Sequence, residues 1–403
     1  MPTLGDYQQF NGRHWETGAV HNFMAYCGHT LSHNGKPPGE ALLMGISGGV
    51  MMGYFSFAYE GYDPQANILT RNTFDPLQTL LSRLGVEQSV KHTNSAERAR
   101  RYLLETLEEG SPAIVWADTF SLAYNNLPHD DGMWGMLPIL VFGYDEEGDI
   151  ACIADRARVA LTATSQELQE ARSRVKNVKH RLLTLGPPND DKLVDAVNEG
   201  IKDCLLLYLE KPPKGAAHNF GFAAYRHWAD LLTKPKMRGS WAKEFPAGDK
   251  LYAGLTSAYQ FINLFGKDDP AERNVYAAFL DEAATILARP ALNEAAAQFR
   301  QSAAAWQALS LTLLPDEIPL LQESRALMVR RHRLFLDQGN AALQQIKDID
   351  RRLAELRREA SDAFPLDEDA AADLRRRIAD RVMDVHDVEQ GAVGALQEAM
   401  DLK

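Results

Sequence analysis

The sequence is poor in cysteine: it has three in 403 residues, Cys27, Cys152 and Cys204. Three scattered cysteines are too few for a disulfide framework or a zinc ribbon. No run of about 18 apolar residues occurs, which argues against a transmembrane helix. The first residues, MPTLGDYQQFNGRHWETG, lack the apolar core of a signal peptide. These absences predict a soluble, cytoplasmic protein.

Basic residues are also fewer than acidic ones: the sequence has 43 Lys and Arg against 55 Asp and Glu, which gives a net charge of −12. A nucleic-acid binder neutralises phosphates with Lys and Arg, so this balance argues against that class. The basic clusters at 351–352 and 375–377 are surrounded by acidic residues, and we interpret them as solvated helix faces. The sequence therefore predicts neither a nucleic-acid partner nor a membrane partner.

Motifs for phosphate-bearing cofactors and metals are missing too. The glycine-rich GISGGV, residues 45–50, lacks the ending of a P-loop and the full Rossmann spacing. We interpret it as a tight turn that lines a cleft, where glycine allows close backbone approach. His29 and His33 are four residues apart, as in a helical metal site, but no third ligand stands at a motif spacing. The sequence predicts no cofactor and no metal.

The first 186 residues have a mixed α/β pattern. Apolar spacing in 22–34 predicts a helix that starts near Asn22, a good N-cap residue. DPLQTLLSRLG and LTATSQELQEARSRVKN predict two further helices. SPAIVWAD, LPILVFGYD and DIACIADRA predict strands of one buried sheet, the last two joined by a tight hairpin at Glu147-Gly148.

The remainder of the chain is helical in pattern. LGPPNDD is a break, and the alanine-rich segments after it are typical of amphipathic helices. Two apolar stripes near the C-terminus predict an antiparallel helical hairpin. They are Leu343, Ile346, Ile349, Leu353 and Leu356, then Leu374, Ile378, Val382 and Val385. We predict domains at 1–186, 187–320 and 321–403, with the stripes either docked on the second domain or forming a homodimer.

A series of short motifs in the first half has a recognisable order and spacing. The motifs are His21, Gly35, Glu40, the Gly45–Gly49 turn, Asp118, Leu122-Ala123-Tyr124, Gly143-Tyr144-Asp145, Asp155-Arg156 and Ala171-Arg172. Together they resemble the butirosin biosynthesis protein H family, and NFGFAAYRHWADLL from Asn219 resembles the start of its usual C-terminal partner domain. The resemblance implies an α+β chain. It implies a papain-like N-terminal domain and a mainly helical C-terminal domain. The terminal helical hairpin, which the apolar stripes predict, lies outside the resemblance.

The resemblance also implies an activity, the transfer of an acyl group from a carrier-protein thioester to the amine of a small molecule in specialised metabolism. The family's nucleophile is a cysteine that directly follows the first histidine and lies at a helix N-terminus, which favours the thiolate. A histidine acts as base and an acidic residue orients it. In this sequence Asn22 takes the cysteine position and Leu137 the histidine position, while Asp155 keeps the acid.

Two other residues are candidate substitutes for the missing groups. Cys27 as a relocated nucleophile and His129 as a loop base are both possible, but a structural or surface role fits each of them better. We predict that His21, Glu40, Tyr124 and Arg156 lie near the cleft as ligand-binding residues. For each of them a structural role, such as an Asp155–Arg156 ion pair or a helix-start acid at Glu40, is the alternative.

Three hypotheses follow. The first is a degenerate family member that binds a small molecule, an acylated carrier protein or a partner enzyme without covalent catalysis. The second is an active acyl or aminoacyl transferase in which a substrate amine attacks a bound thioester directly, with Asn22 and a helix N-terminus stabilising the oxyanion. The third is a structural or assembly role carried by the C-terminal hairpin.

Overall fold

The computed structural model describes residues 3–128, 132–209, 216, 218–264 and 269–401. The strands in this part of the chain are β1 (Val50–Phe57), β2 (Gln65–Arg71), β3 (Gln88–Lys91), β4 (Ala113–Asp118), β5 (Met136–Asp145), β6 (Ile150–Ala154), β7 (Leu161–Ala163) and β8 (Leu182–Leu185). The longer helices are α1 (Trp15–Tyr26), α2 (Glu40–Ile46), α3 (Pro76–Arg83), α4 (Ala96–Glu108), α5 (Ser165–Ser173), α6 (Leu193–Leu209), α7 (Gly221–Thr233), α8 (Trp241–Glu244), α9 (Asp249–Asn263), α10 (Arg273–Ile286), α11 (Leu292–Leu313), α12 (Pro319–Gln338), α13 (Leu343–Asp362) and α14 (Glu368–Ala399). The strands fall in the first half and the second half is helical, which confirms the α+β class.

The chain forms two compact units, and neither is continuous in sequence. The first unit contains Met1–Leu43, Leu77–Leu193 and Arg331–Asp348. The second contains Met44–Pro76, Val194–Arg330 and Ile349–Lys403. Each unit draws on all three of the ranges predicted from sequence, and the three-domain division itself stays a prediction.

The first unit is built on an antiparallel sheet in the order β3-β8-β4-β5-β6-β7. The apolar runs in β4 and β5 are buried, as expected for central strands, and α1 packs against β5. The predicted hairpin between β5 and β6 is confirmed: Asp145 accepts hydrogen bonds from the N–H groups of Glu147 and Gly148 at 3.1 and 3.0 Å. The sheet therefore fixes where β5 and β6 present their side chains.

Two of the predicted helices of the first unit are confirmed. The first is α3, which starts at Pro76 as the DPLQ pattern predicts. The second is α5, capped by Thr164, whose hydroxyl accepts from Glu167 N while the Glu167 carboxylate accepts from Thr164 N. These two reciprocal hydrogen bonds provide acceptors for two N–H groups that have none within the helix.

The second unit is helical around the two-stranded β1-β2 sheet. Its buried centre is an ion pair between Arg273 and Glu389, both with fully buried side chains. Glu389 also accepts hydrogen bonds from Tyr208, Tyr225, Ser302 and Trp306. Burial by itself raises the pKa of Glu389, but Arg273 and these donors outweigh it and hold the pKa below its usual value.

The two C-terminal helices predicted from the apolar stripes are present as α13 and α14. In the second unit α14 packs mainly against α7 and α11. Its stripe residues Leu374, Ile378, Val382 and Val385 are all buried within the single chain. Burial of the α14 stripe therefore needs no second copy, and a homodimer stays a prediction. None of the described helices combines the length and the apolar character that a membrane crossing requires.

Candidate functional site

The helix that carries Asn22 begins earlier than predicted. Its first residue is Trp15, and His14 is the N-cap, with its ring accepting a hydrogen bond from Glu16 N. Asn22 lies seven residues further along, inside the helix. The prediction of a helix start at Asn22 was therefore wrong, and the partial positive charge of the helix N-terminus falls off well before this residue.

The Asn22 side chain is buried, with 1% of the residue exposed, and its oxygen is fully engaged. Oδ1 accepts a hydrogen bond from Gly12 N at 3.0 Å and another from Asn11 N at 3.2 Å. Two convergent backbone N–H groups are the arrangement that binds an oxyanion in acyl transfer. Here the neutral carboxamide oxygen of the chain itself occupies them.

Asp155 directly follows β6 and is held by two neighbours. Its Oδ1 accepts from Arg156 N at 2.8 Å and Arg156 Nε at 3.1 Å. Its Oδ2 accepts from Arg156 Nη2 at 3.0 Å and from the Tyr124 hydroxyl at 3.2 Å. Burial, and next the charge of Asp155, raise the pKa of Tyr124 well above its usual value, so Tyr124 stays a donor. Asp155 and Arg156 therefore form an ion pair, which is the structural alternative that we considered for them.

Arg156 is fixed from three further directions. Its guanidinium lies over the ring of Trp15 at 4.6 Å and over that of Phe335 at 4.8 Å. Its Nη2 also donates to the side chain of Asn125 at 2.6 Å. A planar guanidinium stacks well between aromatic faces, and these contacts leave Arg156 little freedom to move.

One small cavity brings the predicted site residues Asn22 and Asp155 together. Its volume is about 170 Å³ with the part open to solvent included. The lining is completed by Gly12, His14, Trp15, Gly18, Ala19, Pro138 and Ala154. Ligand pockets for drug-sized molecules are about 300–1,000 Å³, so this cavity accommodates a small chemical group at most.

Pro138 and not Leu137 belongs to the cavity wall. The two are neighbours in β5, Leu137 opposite Ala117 and Pro138 opposite Trp116 on β4, and successive side chains of a strand point to opposite faces. Proline fits at position 138 because β6 pairs with β5 only from Leu140 onward. On the β6 side of residue 138, no strand requires a hydrogen bond from the backbone N–H that proline lacks. The match of Leu137 to the lost histidine stays a prediction, and the cavity adds residue 138 as a second candidate.

His21 and Glu40 do not line the cavity. The His21 Nδ1 atom is 2.8 Å from the carbonyl oxygen of Pro38. Glu40 accepts from the N–H groups of Arg13 and His14, both at 2.7 Å, and so holds the segment that leads into α1. Glu40 is also the first residue of α2, which is the helix-start position that we considered as its alternative. Ligand binding by either residue stays a prediction.

Cys27 and His29 are not among the residues that line the cavity. Cys27 is the C-cap of α1, and burial raises the pKa of its thiol to about 11. His129 lies outside the described residues. His29 Nε2 is 3.3 Å from the carbonyl oxygen of Leu185. Within the described ranges, no group of three or more His, Cys, Asp or Glu side chains is arranged to hold a metal ion.

The glycine-rich segment 45–50 leads from the end of α2 through a tight turn at 47–49 into β1, and it is not part of the lining of this cavity. Gly48 and Gly49 have φ values of 106° and 68°, and Gly45 lies so close to the Phe279 ring that a Cβ there would be 2.2 Å from it. The glycines allow packing against aromatic side chains of the second unit.

Several residues of the site were missed by sequence reasoning. Trp15 and Asn125 stand beside the predicted Arg156 and Tyr124 without any motif that marks them. Phe335 belongs to a helix far along the chain, and no local pattern connects it with Arg156. Only Pro138 had a signal, since a proline inside an otherwise apolar strand is unusual.

Two family descriptions match this chain. "Butirosin biosynthesis protein H, N-terminal" matches residues 14–156, which include every lining residue of the cavity except Gly12. "Domain of unknown function (DUF4872)" matches residues 166–318. None of the curated proteins matches the sequence. The two adjacent matches agree with the order of domains that the sequence motifs indicated.

Proposed function

Because the chain belongs, by its N-terminal and C-terminal domains, to the butirosin biosynthesis protein H-like proteins, we propose that it is a degenerate member of this acyltransferase family. It binds a small molecule, an acylated carrier protein or a partner enzyme of specialised metabolism, and it forms no acyl-enzyme. In this proposal the first unit has the papain-like fold that the family implies, with the Asn22 cavity at the former catalytic centre.

The observation that carries the proposal is the hydrogen bonding of Asn22. Its amide oxygen accepts from the N–H groups of Asn11 and Gly12, and two convergent backbone N–H groups are the kind of donor pair that stabilises an oxyanion in acyl transfer. A carboxamide has no ionised form with which to attack a thioester. The site is thus closed by its own side chain at the point where a tetrahedral intermediate would develop charge.

The groups around Asn22 support the same conclusion. The Asp155 carboxylate accepts four hydrogen bonds, three from Arg156 and one from Tyr124. Among the described residues it therefore orients no imidazole. Pro138, on the cavity wall, carries no titratable group. General base catalysis needs a group whose pKa lies near the working pH and which reaches the proton, and neither residue meets this need.

Binding of a small polar group remains compatible with the cavity. Trp15 lines it, and the buried Nε1–H of Trp15 has no acceptor among the residues that the structure describes. A buried donor without an acceptor is costly, so a ligand carbonyl that accepts from Trp15 is favoured. The hypothesis of direct transfer assisted by a helix N-terminus at Asn22 is not retained, because α1 begins at Trp15.

The test uses an acyl-pantetheine thioester as the probe and the intact mass of the denatured protein as the readout. The wild-type protein is expected to keep its mass. The Asn22→Cys/Pro138→His variant, which returns a thiol and an imidazole to the cavity, is expected to gain one acyl group. A stable acyl adduct on the wild-type protein at a residue of the first unit would overturn the proposal.

A further inference from the structure

A second cavity in the first unit surrounds a buried arginine. Its volume is about 260 Å³ with the part open to solvent included. It lies between the first turns of α4, the helix α5 and the end of β5. Its lining residues are Ala96, Ala99, Arg100, Leu103, Tyr144, Leu168, Gln169, Arg172 and His180. None of these residues lines the cavity of Asn22.

Arg172 is 4% exposed, and no carboxylate among the residues that the structure describes forms an ion pair with it. Its Nη2 donates to the carbonyl oxygen of His180 at 3.1 Å, while its Nε is buried without a hydrogen-bond partner in the described ranges. Burial lowers the pKa of Arg172 to about 10, which still leaves it charged at pH 7. Because an unpaired buried charge is strongly unfavourable, native proteins pair it or bind a counter-ion there.

The rest of the lining is also suited to an anion. One face of α4 contributes Ala96, Ala99, Arg100 and Leu103, so the cavity lies along the side of this helix and receives the Arg100 side chain from it. Arg100 adds a second guanidinium, whose charge it shares with the exposed Glu146 at 2.6 Å. Burial, and then Arg172, lower the pKa of His180, so the two arginines supply the charge near neutral pH.

The sequence around the cavity supports the sign of the ligand. In a chain with a net charge of −12, the segment 172–181, RSRVKNVKHR, has five Lys and Arg and no acidic residue. From this segment Arg172 and His180 line the cavity, and the whole lining contains Arg100 besides them and no acidic residue. An excess of one sign on the walls of a cleft raises the local concentration of the opposite ion. The guanidinium fork of arginine matches the geometry of phosphate and carboxylate oxygens.

We propose that Arg172 is the centre of a binding site for a phosphate group, which Arg172 and Arg100 hold with their guanidinium groups. The cavity is too small for a bulky molecule, so it takes either inorganic phosphate or the phosphate monoester of a larger ligand whose remainder stays outside. The site is independent of the state of the Asn22 cavity.

The test measures binding of inorganic phosphate and of methyl phosphate to the whole protein by calorimetry, and thermal unfolding in phosphate against chloride at equal ionic strength. The wild-type protein is expected to show saturable binding and a Tm that rises by a few degrees, since a ligand stabilises the state that binds it. Arg172→Gln should weaken binding by about tenfold or more, the value of a charge-assisted hydrogen-bonded contact. Binding of methyl phosphate assigns the site to a phosphate monoester, and binding of inorganic phosphate alone assigns it to the free ion.

The matched control is Arg101→Gln on the same helix, because Arg101 is exposed and pairs with Glu105 one turn further along. It should bind phosphate as the wild-type protein does. Equal binding by Arg172→Gln, or a wild-type response no larger than that to chloride, would overturn the proposal. If Arg172→Gln does not fold, Arg100→Gln decides instead, with unchanged binding counting against the site.

Discussion

Asn22 Oδ1 accepts a hydrogen bond of 3.0 Å from the backbone N–H of Gly12. The bond joins a buried position inside α1 to the loop before the helix. Together with the bond from Asn11 N at 3.2 Å, it gives the carboxamide oxygen two backbone donors. Asn22 therefore holds this loop against α1.

Replacing Asn22 should destabilise the protein. Asn22→Leu removes the acceptor of two N–H groups, of which that of Gly12 is buried, and a buried donor left open costs about 1–3 kcal/mol. Urea unfolding measures the loss. The control is Asn198→Leu, since Asn198 makes an exposed bond to Val194 within α6 and should change stability by less than about 0.5 kcal/mol. Equal stability of the two variants would show that the Asn22 bonds contribute nothing.

The position of the lost base can be found with a restored thiol. In a Cys27→Ser background, Asn22→Cys with Pro138→His should react with iodoacetamide at pH 6 about tenfold faster than Asn22→Cys alone, because a nearby imidazolium favours the thiolate. Asn22→Cys with Leu137→His should show no gain, since residue 137 points to the other face of β5. Asn22→Cys with Pro138→Ala controls for loss of the proline. A faster reaction with histidine at 137 would place the base there.

Cys27 should be an unreactive thiol in the wild-type protein. Burial raises its pKa to about 11, so at pH 8 only about one molecule in a thousand carries the thiolate. Labelling with iodoacetamide, followed by peptide mass mapping, should be more than about tenfold slower than that of free cysteine and should accelerate up to about pH 11. Cys27→Ser identifies the labelled peptide. Labelling at pH 7 as fast as that of free cysteine would restore Cys27 as a candidate nucleophile.

Stability in acid should depend on Glu389. Its pKa in the folded protein lies below the usual 4.5, so its ionised form stabilises the fold above that pH, and this contribution is lost as the pH falls through the folded value. At pH 7, Glu389→Gln leaves Arg273 buried and unpaired, which should cost about 3–5 kcal/mol. Measured by urea unfolding, the difference from wild type should shrink below about pH 4.5.

The control for this experiment is Glu398→Gln, an exposed change on the same helix α14. It should alter stability by less than about 0.5 kcal/mol at every pH. A pH-independent difference between wild type and Glu389→Gln would contradict the ionised state assigned to Glu389.

Local signals in the sequence predicted the parts of the fold that are determined locally. The Thr164–Glu167 capping box and the turn at Glu147-Gly148 each depend on residues within a few positions, and both are present. The start of α1 was missed because its cap is His14, a rare N-cap residue, and because the preceding segment is held by Glu40 from another helix.

The candidate site was predicted only in part for the same reason. Family motifs identified Asn22, Tyr124, Asp155 and Arg156, and these residues surround or support one cavity. The register of β5 decides whether residue 137 or residue 138 faces that cavity. If a count of residues from a motif is wrong by one, the predicted side chain lies on the opposite face of the strand. Long-range partners such as Phe335 leave no trace in a local pattern.

The most direct test of the central claim is mass spectrometry of the wild-type protein isolated from its own cells, first under native and then under denaturing conditions. The account predicts any added mass to appear in the native spectrum alone and to disappear on denaturation. An addition that survives denaturation and maps to a residue lining the Asn22 cavity would contradict it, because covalent chemistry would then persist at this site.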